Sequence, residues 1–157
     1  MNETEARALA ERAFAGTDDL VGIPTINHSA EVAAGVPAED RVTAWLHDTV
    51  EDTDLAFDDL RELGVDEVDL RALALLTRDP ADGRTYRQYI QAIADADGPE
   101  GTRGRRVKRQ DLRVNIGRKR PEHMTGMVSS RYLPALAVIE QAMVRRGELD
   151  QADVWSQ

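Results

Sequence analysis

Four side chains able to bind a metal or move a proton crowd into one short stretch. They are His47, Asp48, Glu51 and Asp52, within Ala44-Trp-Leu-His-Asp-Thr-Val-Glu-Asp-Thr53. On a helix their directions are roughly 0°, 100°, 40° and 140°, so all four fit one arc. With Trp45 and Leu46 turned inward, that arc faces a cleft. An imidazole beside a carboxylate is the start of a divalent-metal site, and two further carboxylates one turn on could position an attacking water. The competing reading is a solvated polar helix end, because adjacent His-Asp pairs also arise by chance.

The rest of the chain offers few other candidates. There are three histidines and no cysteines. Disulfides, thiolate zinc sites, iron–sulfur clusters and cysteine nucleophiles are excluded, and three histidines are too few for a typical two-iron redox site. His123 follows Pro121 in a loop and reads as an exposed surface residue. His28 alone reads as a capping or surface histidine, and Asp111 alone as an acid paired within a basic helix. Taken together, an early His, a His-Asp pair and a late Asp make a two-histidine, two-carboxylate set for a hard or borderline divalent ion. Such a set leaves positions for water and a phosphoryl oxygen.

These residues need elements to hold them. The 157 residues suffice for one domain with a hydrophobic core. Apolar residues recur at helical spacing over 3–15, and Gly16 ends that helix. A loop with Gly22 and Pro24 leads to a short helix opened by His28. Pro37 precedes a helix over about 38–52 that carries Val42, Trp45 and Leu46 inward and ends in the His-Asp stretch. Further helices are expected at 55–63, 66–76, 85–95, 104–116 and 132–144. Loops are expected at 78–83 and from 117 to 130, and residues 97–104 read as a loop or as the frayed start of the next helix. Asp111 then shares a semi-buried face with Val107, Gln110 and Val114, where a carboxylate needs a partner. No strand alternation, repeat or linker is evident. The expectation is one all-α domain over residues 1–146, a bundle of six to eight helices, followed by a polar, frayed tail over 147–157 whose Trp155 could dock on it.

The net charge of −9 argues against a nucleic-acid polymer as partner. The charge is unevenly spread: residues 103–120 hold nine Lys or Arg against one acid, Asp111. This suggests a small anionic ligand such as a phosphate ester, or else a solvated basic helix face. No apolar run reaches the length of a membrane span, and the first residues do not form a signal peptide. The expectation is a soluble, cytoplasmic protein with no membrane partner; nothing in the sequence sets its oligomeric state.

The order His28, His47-Asp48, Asp111 resembles the HD superfamily of metal-dependent phosphohydrolases. More narrowly, His47-Asp-Thr-Val-Glu-Asp-Thr53 resembles the His-Asp-x-x-Glu-Asp-Thr signature of the RelA/SpoT-type hydrolase domain and the small alarmone hydrolases. Gly22-Ile-Pro-Thr-Ile-Asn-His28 is similar to the Gly-x-Pro-Tyr-Ile-x-His lead into the first ligand. Leu75-Leu-Thr-Arg78 with Thr85-Tyr-Arg-Gln-Tyr-Ile90 resembles the segment between the two acidic sites, and Val107-Lys-Arg-Gln-Asp-Leu-Arg-Val-Asn115 the Val-Lys-x-x-Asp-x-x-x-Asn motif. These matches span most of residues 8–116.

The resemblance implies an HD-type helical fold and a role for each matching residue. His28, His47, Asp48 and Asp111 would hold the metal, usually manganese in that family. Glu51 and Asp52 would orient and deprotonate the attacking water. Asn115 would sit near the substrate's sugar, with Lys108 and Arg109 as phosphate contacts. The family reaction removes pyrophosphate from the 3′ position of guanosine tetra- or pentaphosphate, so a small phosphorylated substrate is expected. Departures lie around the base-recognition loop. Thr17-Asp-Asp-Leu-Val21 lacks the usual basic residues, Thr25 stands for Tyr, and Ser29 follows His28 where Pro is common. Three functions therefore stay open: hydrolysis of such a nucleotide, hydrolysis of a nucleoside monophosphate or non-nucleotide phosphate, and a metal- or nucleotide-binding module without turnover.

Overall fold

The computed structural model describes residues 1–156, and these form helices with no strand among them. The first helix, α1 (Glu3–Ala13), starts at a capping box: Asn2 Oδ1 accepts from the Glu5 amide at 2.9 Å, and Glu5 returns the bond to the Asn2 amide at 2.8 Å. The loop after it turns at Gly22, whose φ of +80° suits glycine, and a single β-bridge joins Asp18 to Pro24. It leads into α2 (Ile26–Ala34), which buries His28, Val32 and Ala33.

The single helix expected over 38–52 is instead interrupted. A 3-10 turn at Ala38–Asp40 leads into α3 (Arg41–Leu46), and α4 (Thr49–Asp52) follows after a break at His47 and Asp48. Two side chains account for the break. His47 Nδ1 lies 2.8 Å from the Ala44 carbonyl, and Thr49 Oγ1 donates to the Leu46 carbonyl at 2.8 Å. Those two carbonyls would accept from the amides of Asp48 and Val50 in a continuous helix. Side chains thus compete with the backbone ladder, and Asp48 settles at φ −102°, ψ −1°.

The chain continues through α5 (Phe57–Glu62) and α6 (Glu67–Leu76), then a 3-10 turn at Pro80–Asp82. Helix α7 (Tyr86–Asp95) opens at a second capping box, Thr85 with Gln88. Helix α8 (Gly98–Gly117) starts six residues earlier than the expected 104. Pro99 presets the first turn, and Gly101 lets the backbone of Ala96 approach so closely that a Cβ would collide with its carbonyl. Stretches rich in glycine and proline read as loops; here both residues sit where a helix start tolerates or requires them.

The expected loop over 117–130 also ends early. A wide π-type turn at Val128–Tyr132 runs directly into α9 (Leu133–Arg145). Counting α3 and α4 as one interrupted helix gives eight helices among the described residues, within the expected range. One core joins them, with Leu9, Val32, Leu46, Leu73, Val107 and Ile139 among its members. Helix α8 packs on α2, α3, α6, α7 and α9, so it forms the axis of the bundle.

The last residues add polar contacts to that axis. Glu148 pairs with the fully buried Arg105 at 2.6 Å, and the Trp155 amide donates to Glu140 at 2.7 Å. Trp155 also takes Arg113 against its ring, 5.4 Å from the centroid.

Candidate metal centre

Three segments distant in sequence deliver the four candidate ligands to one point. Helix α2 presents His28, the α3–α4 break presents His47 and Asp48, and α8 presents Asp111. The two Nε2 atoms lie 3.3 Å apart. Asp111 Oδ1 is 2.8 Å from His28 Nε2 and 3.5 Å from His47 Nε2. Asp48 Oδ2 is 3.1 Å from His47 Nε2 and 3.8 Å from His28 Nε2. The ligand atoms of His28, His47 and Asp48 all lie within 4.8 Å of one another, the grouping expected of donors that share a cation.

The break in the helix aims this group. A continuous helix would fan His47 and Asp48 about 100° apart; in the broken geometry both lean on the His28–Asp111 pair. The contact of His47 Nδ1 with the Ala44 carbonyl places a proton on Nδ1 and leaves the Nε2 lone pair for a ligand. His28 Nδ1 is buried with no partner in the structure. The donor set, two imidazoles and two carboxylates, suits a hard or borderline divalent ion.

Without a cation the cluster balances itself with protons and one lysine. Burial disfavours a charged His47, but Asp48 and Asp111 outweigh it and hold the ring's pKa well above the usual value. Burial likewise opposes ionisation of Asp111, yet Lys108 and the two histidines keep its carboxyl well below the ordinary range. Asp48 is lowered too, because His47 overcomes its burial.

Glu51 and Asp52 stand on α4 at the exposed rim and face different ways. Loss of surrounding water raises the Glu51 carboxyl, against the pull of the Arg78 amide, which donates to Oε1 at 2.6 Å. Loss of water, then the charges of Asp48 and Glu51, push Asp52 up to about 6. Asp52 borders a cleft of about 320 Å³ that His28 and Asp48 also line. Glu51 borders a smaller neighbouring one of about 180 Å³ with Arg78 and Tyr89.

The candidate substrate contacts divide. Lys108 Nζ donates to Asp111 Oδ2 at 2.7 Å, and Asn115 Nδ2 to Asp111 Oδ1 at 2.9 Å, so both hold a candidate ligand. Asn115 also lines the cleft. Arg109 is not brought to the cluster. Its Nε donates to the buried Glu140 at 2.8 Å and its terminal nitrogen to the Asp153 carbonyl at 2.9 Å, so it faces α9 and the C-terminal segment. A helix turns successive residues by about 100°, and on α8 that turn carries Lys108 to Asp111 and Arg109 to Glu140. His123 is exposed and outside the cluster, as expected.

The basic stretch as a whole is neither a ligand surface nor a solvated face. Arg103 pairs with Asp40 and Asp69, Arg105 with Glu148, Arg106 with Glu39 and Asp40, and Arg109 with Glu140. Only its end, Arg118-Lys-Arg120, reaches the cleft, where Arg118 is held by Asp19 at 2.9 Å. Asp18, Asp19, Leu20 and Val21 also line the cleft, as do Met124, Met127 and Tyr132. Met124, Met127 and Tyr132 carried no sequence signal: they come from the segment between α8 and α9, and Tyr132 ends the turn at Val128–Tyr132.

No protein family matches the sequence, and no curated protein does. The fold matches a solved structure described as a metazoan ortholog of SpoT that hydrolyzes ppGpp and plays a role in starvation responses. The superposition covers 94% of this chain and 96% of that one, at a TM-score of 0.65 and 20% identity. At that identity the likeness is one of fold: this chain shares the helical architecture of that hydrolase.

Proposed function

We propose that this chain is a metal-dependent phosphohydrolase acting on a phosphorylated nucleotide. The observation that carries the reading is the convergence of His28, His47, Asp48 and Asp111 beside two rim carboxylates. These four residues would hold the ion, with manganese favoured by the resemblance of the His-Asp-x-x-Glu-Asp-Thr segment. A bound divalent ion would draw charge from the phosphoryl oxygens and ease deprotonation of water.

The chain's own groups supply the rest. Asp52, at the cleft, accepts the proton of the attacking water. Glu51, fixed by the Arg78 amide, orients the water from the other side. Arg118, Lys119 and Arg120 line the cleft and neutralise further phosphate charge. Lys108 and Asn115 keep Asp111 in place.

The shared fold supports guanosine 3′,5′-bis(diphosphate) as the first substrate to try, with loss of its 3′ pyrophosphate. The cleft wall supports a second reading. Asp18 and Asp19 stand where basic residues would meet guanine, which suits a less charged substrate such as a nucleoside monophosphate or a non-nucleotide phosphate. The test is phosphate and pyrophosphate release by the purified protein with Mn²⁺, across a panel containing guanosine tetraphosphate, nucleoside monophosphates and sugar phosphates. Turnover that chelation abolishes and that Asp48→Ala or Asp111→Ala removes is the expected result. Unchanged turnover in either variant, or after complete chelation, overturns the metal-dependent reading. Metal uptake without turnover of any substrate leaves a binding module.

A further inference from the structure

Tyr89 on α7 lies within the segment Thr85-Tyr-Arg-Gln-Tyr-Ile90, to which no role was attached, and it touches both halves of the site. It is 3% exposed, and its hydroxyl donates to the Leu76 carbonyl at 2.5 Å. Leu76 is the last residue of α6; two residues on, the Arg78 amide holds Glu51 Oε1. The hydroxyl therefore pins the strand of chain from which Glu51 is oriented. The ring has a second task. Lys108 Nζ sits 5.3 Å from its centroid and reaches on to Asp111 Oδ2 at 2.7 Å. The Arg78 guanidinium shares the same ring at 5.7 Å. An ammonium held on an aromatic face loses positional freedom, so the Asp111 carboxylate is fixed at Oδ2 while Oδ1 stays with the histidines.

We propose that Tyr89 is a positioning residue that sets the candidate ligand Asp111, through Lys108, and the water-orienting Glu51, through Leu76 and Arg78. One side chain thereby keeps the metal group and the rim carboxylate in register. The proposal rests on the metal-centre reading above. Partners that orient a ligand in this way commonly govern metal affinity by about 10- to 100-fold.

The hydroxyl and the ring can be separated by substitution. Two readouts that need no substrate follow them: Mn²⁺ affinity by titration calorimetry, and amide hydrogen exchange at Arg78 in the metal-free protein. Tyr89→Phe keeps the ring and removes the hydroxyl. It is expected to speed Arg78 exchange by about tenfold, the effect of one hydrogen bond, with Mn²⁺ affinity unchanged. Lys108→Met is expected to weaken Mn²⁺ binding by about 10- to 100-fold with Arg78 exchange unchanged. Tyr89→Leu should move both. Thermal melts of each variant separate these effects from loss of folding. Lys108→Met with wild-type Mn²⁺ affinity overturns the proposal, as does Tyr89→Phe with wild-type exchange. So does a uniform loosening in which all three variants shift both readouts alike, which marks Tyr89 as a packing residue only. A wild-type protein that takes up no divalent ion fails the metal reading itself, and the role assigned to Lys108 and Tyr89 falls with it.

Discussion

At the scale of single residues, the two candidate histidines were legible because histidine is rare in this chain, whereas Asp48 and Asp111 stood out from many other acids only by their place in the motifs. Three histidines leave little choice, and two of them flank the apolar positions of successive helices. Direction was harder to read than identity. Lys108, Arg109 and Asn115 all stood as substrate contacts, but one faces Glu140 and two hold Asp111. Their partners lie 31, 3 and 4 residues away, and only a folded neighbour decides which one wins. Asp52 gives a prediction at this scale. Its carboxyl in the metal-free protein should titrate near 6 by carbon NMR. Glu51→Gln removes a neighbouring negative charge and should lower that midpoint, and Mg²⁺ should lower it further, because nearby positive charge favours the ionised carboxylate. A midpoint unmoved by either change would separate Asp52 from the cluster.

At the scale of elements, the helices were legible where apolar residues kept their period. The capping boxes Asn2–Glu5 and Thr85–Gln88 sit where local signals place helix starts. The interruption at His47 was not legible, since it arises when two side chains take carbonyls from the backbone ladder. Thr49→Val removes one of those side-chain bonds and should cost about 1 kcal/mol in urea unfolding. It should weaken Mn²⁺ binding as well, because the break aims His47 and Asp48. The start of α8 was left open between loop and frayed helix for a different reason: glycine and proline usually stop helices, but here Pro99 suits the first turn and Gly101 permits a close approach. Gly101→Ala should therefore destabilise the fold by about 1–3 kcal/mol through the collision with Ala96. Elsewhere inside a helix, the same exchange stabilises by about 1 kcal/mol. A melt shifted upward would refute the close approach.

At the scale of the whole molecule, the charge asymmetry was visible in the sequence but its use was not. The first 100 residues hold 23 of the 29 acids, and the basic run of α8 lies against them. Composition suggested a ligand surface or a solvated face; packing makes α8 a counter-ion instead. Arg105 is the extreme case, 1% exposed and paired with Glu148. Glu148→Ala leaves a buried guanidinium without its carboxylate and should cost about 3 kcal/mol or more by chemical denaturation. The Glu148 carboxyl is subject to some burial, but Arg105 lowers it below its usual value. A group lowered in the folded state contributes stability above its unfolded pKa and loses it as pH falls through the folded one. Stability should therefore begin to drop below about pH 4.5. Glu148→Gln should flatten that part of the profile.

The central position of α8 also dictates when the protein can become itself during synthesis. The acidic first portion leaves the ribosome before the helix that neutralises it and touches α2, α3, α6, α7 and α9. Until that helix emerges, His28, His47 and Asp48 lack Asp111, and Asp40 and Asp69 lack Arg103. Domains that fold as units do so when their last essential element arrives. A nascent chain arrested after residue 97 should thus be protease-sensitive, and one arrested with α8 and α9 exposed should be protected. Assembly of the His28, His47, Asp48 and Asp111 cluster and completion of the core would then be one event, set by the arrival of α8.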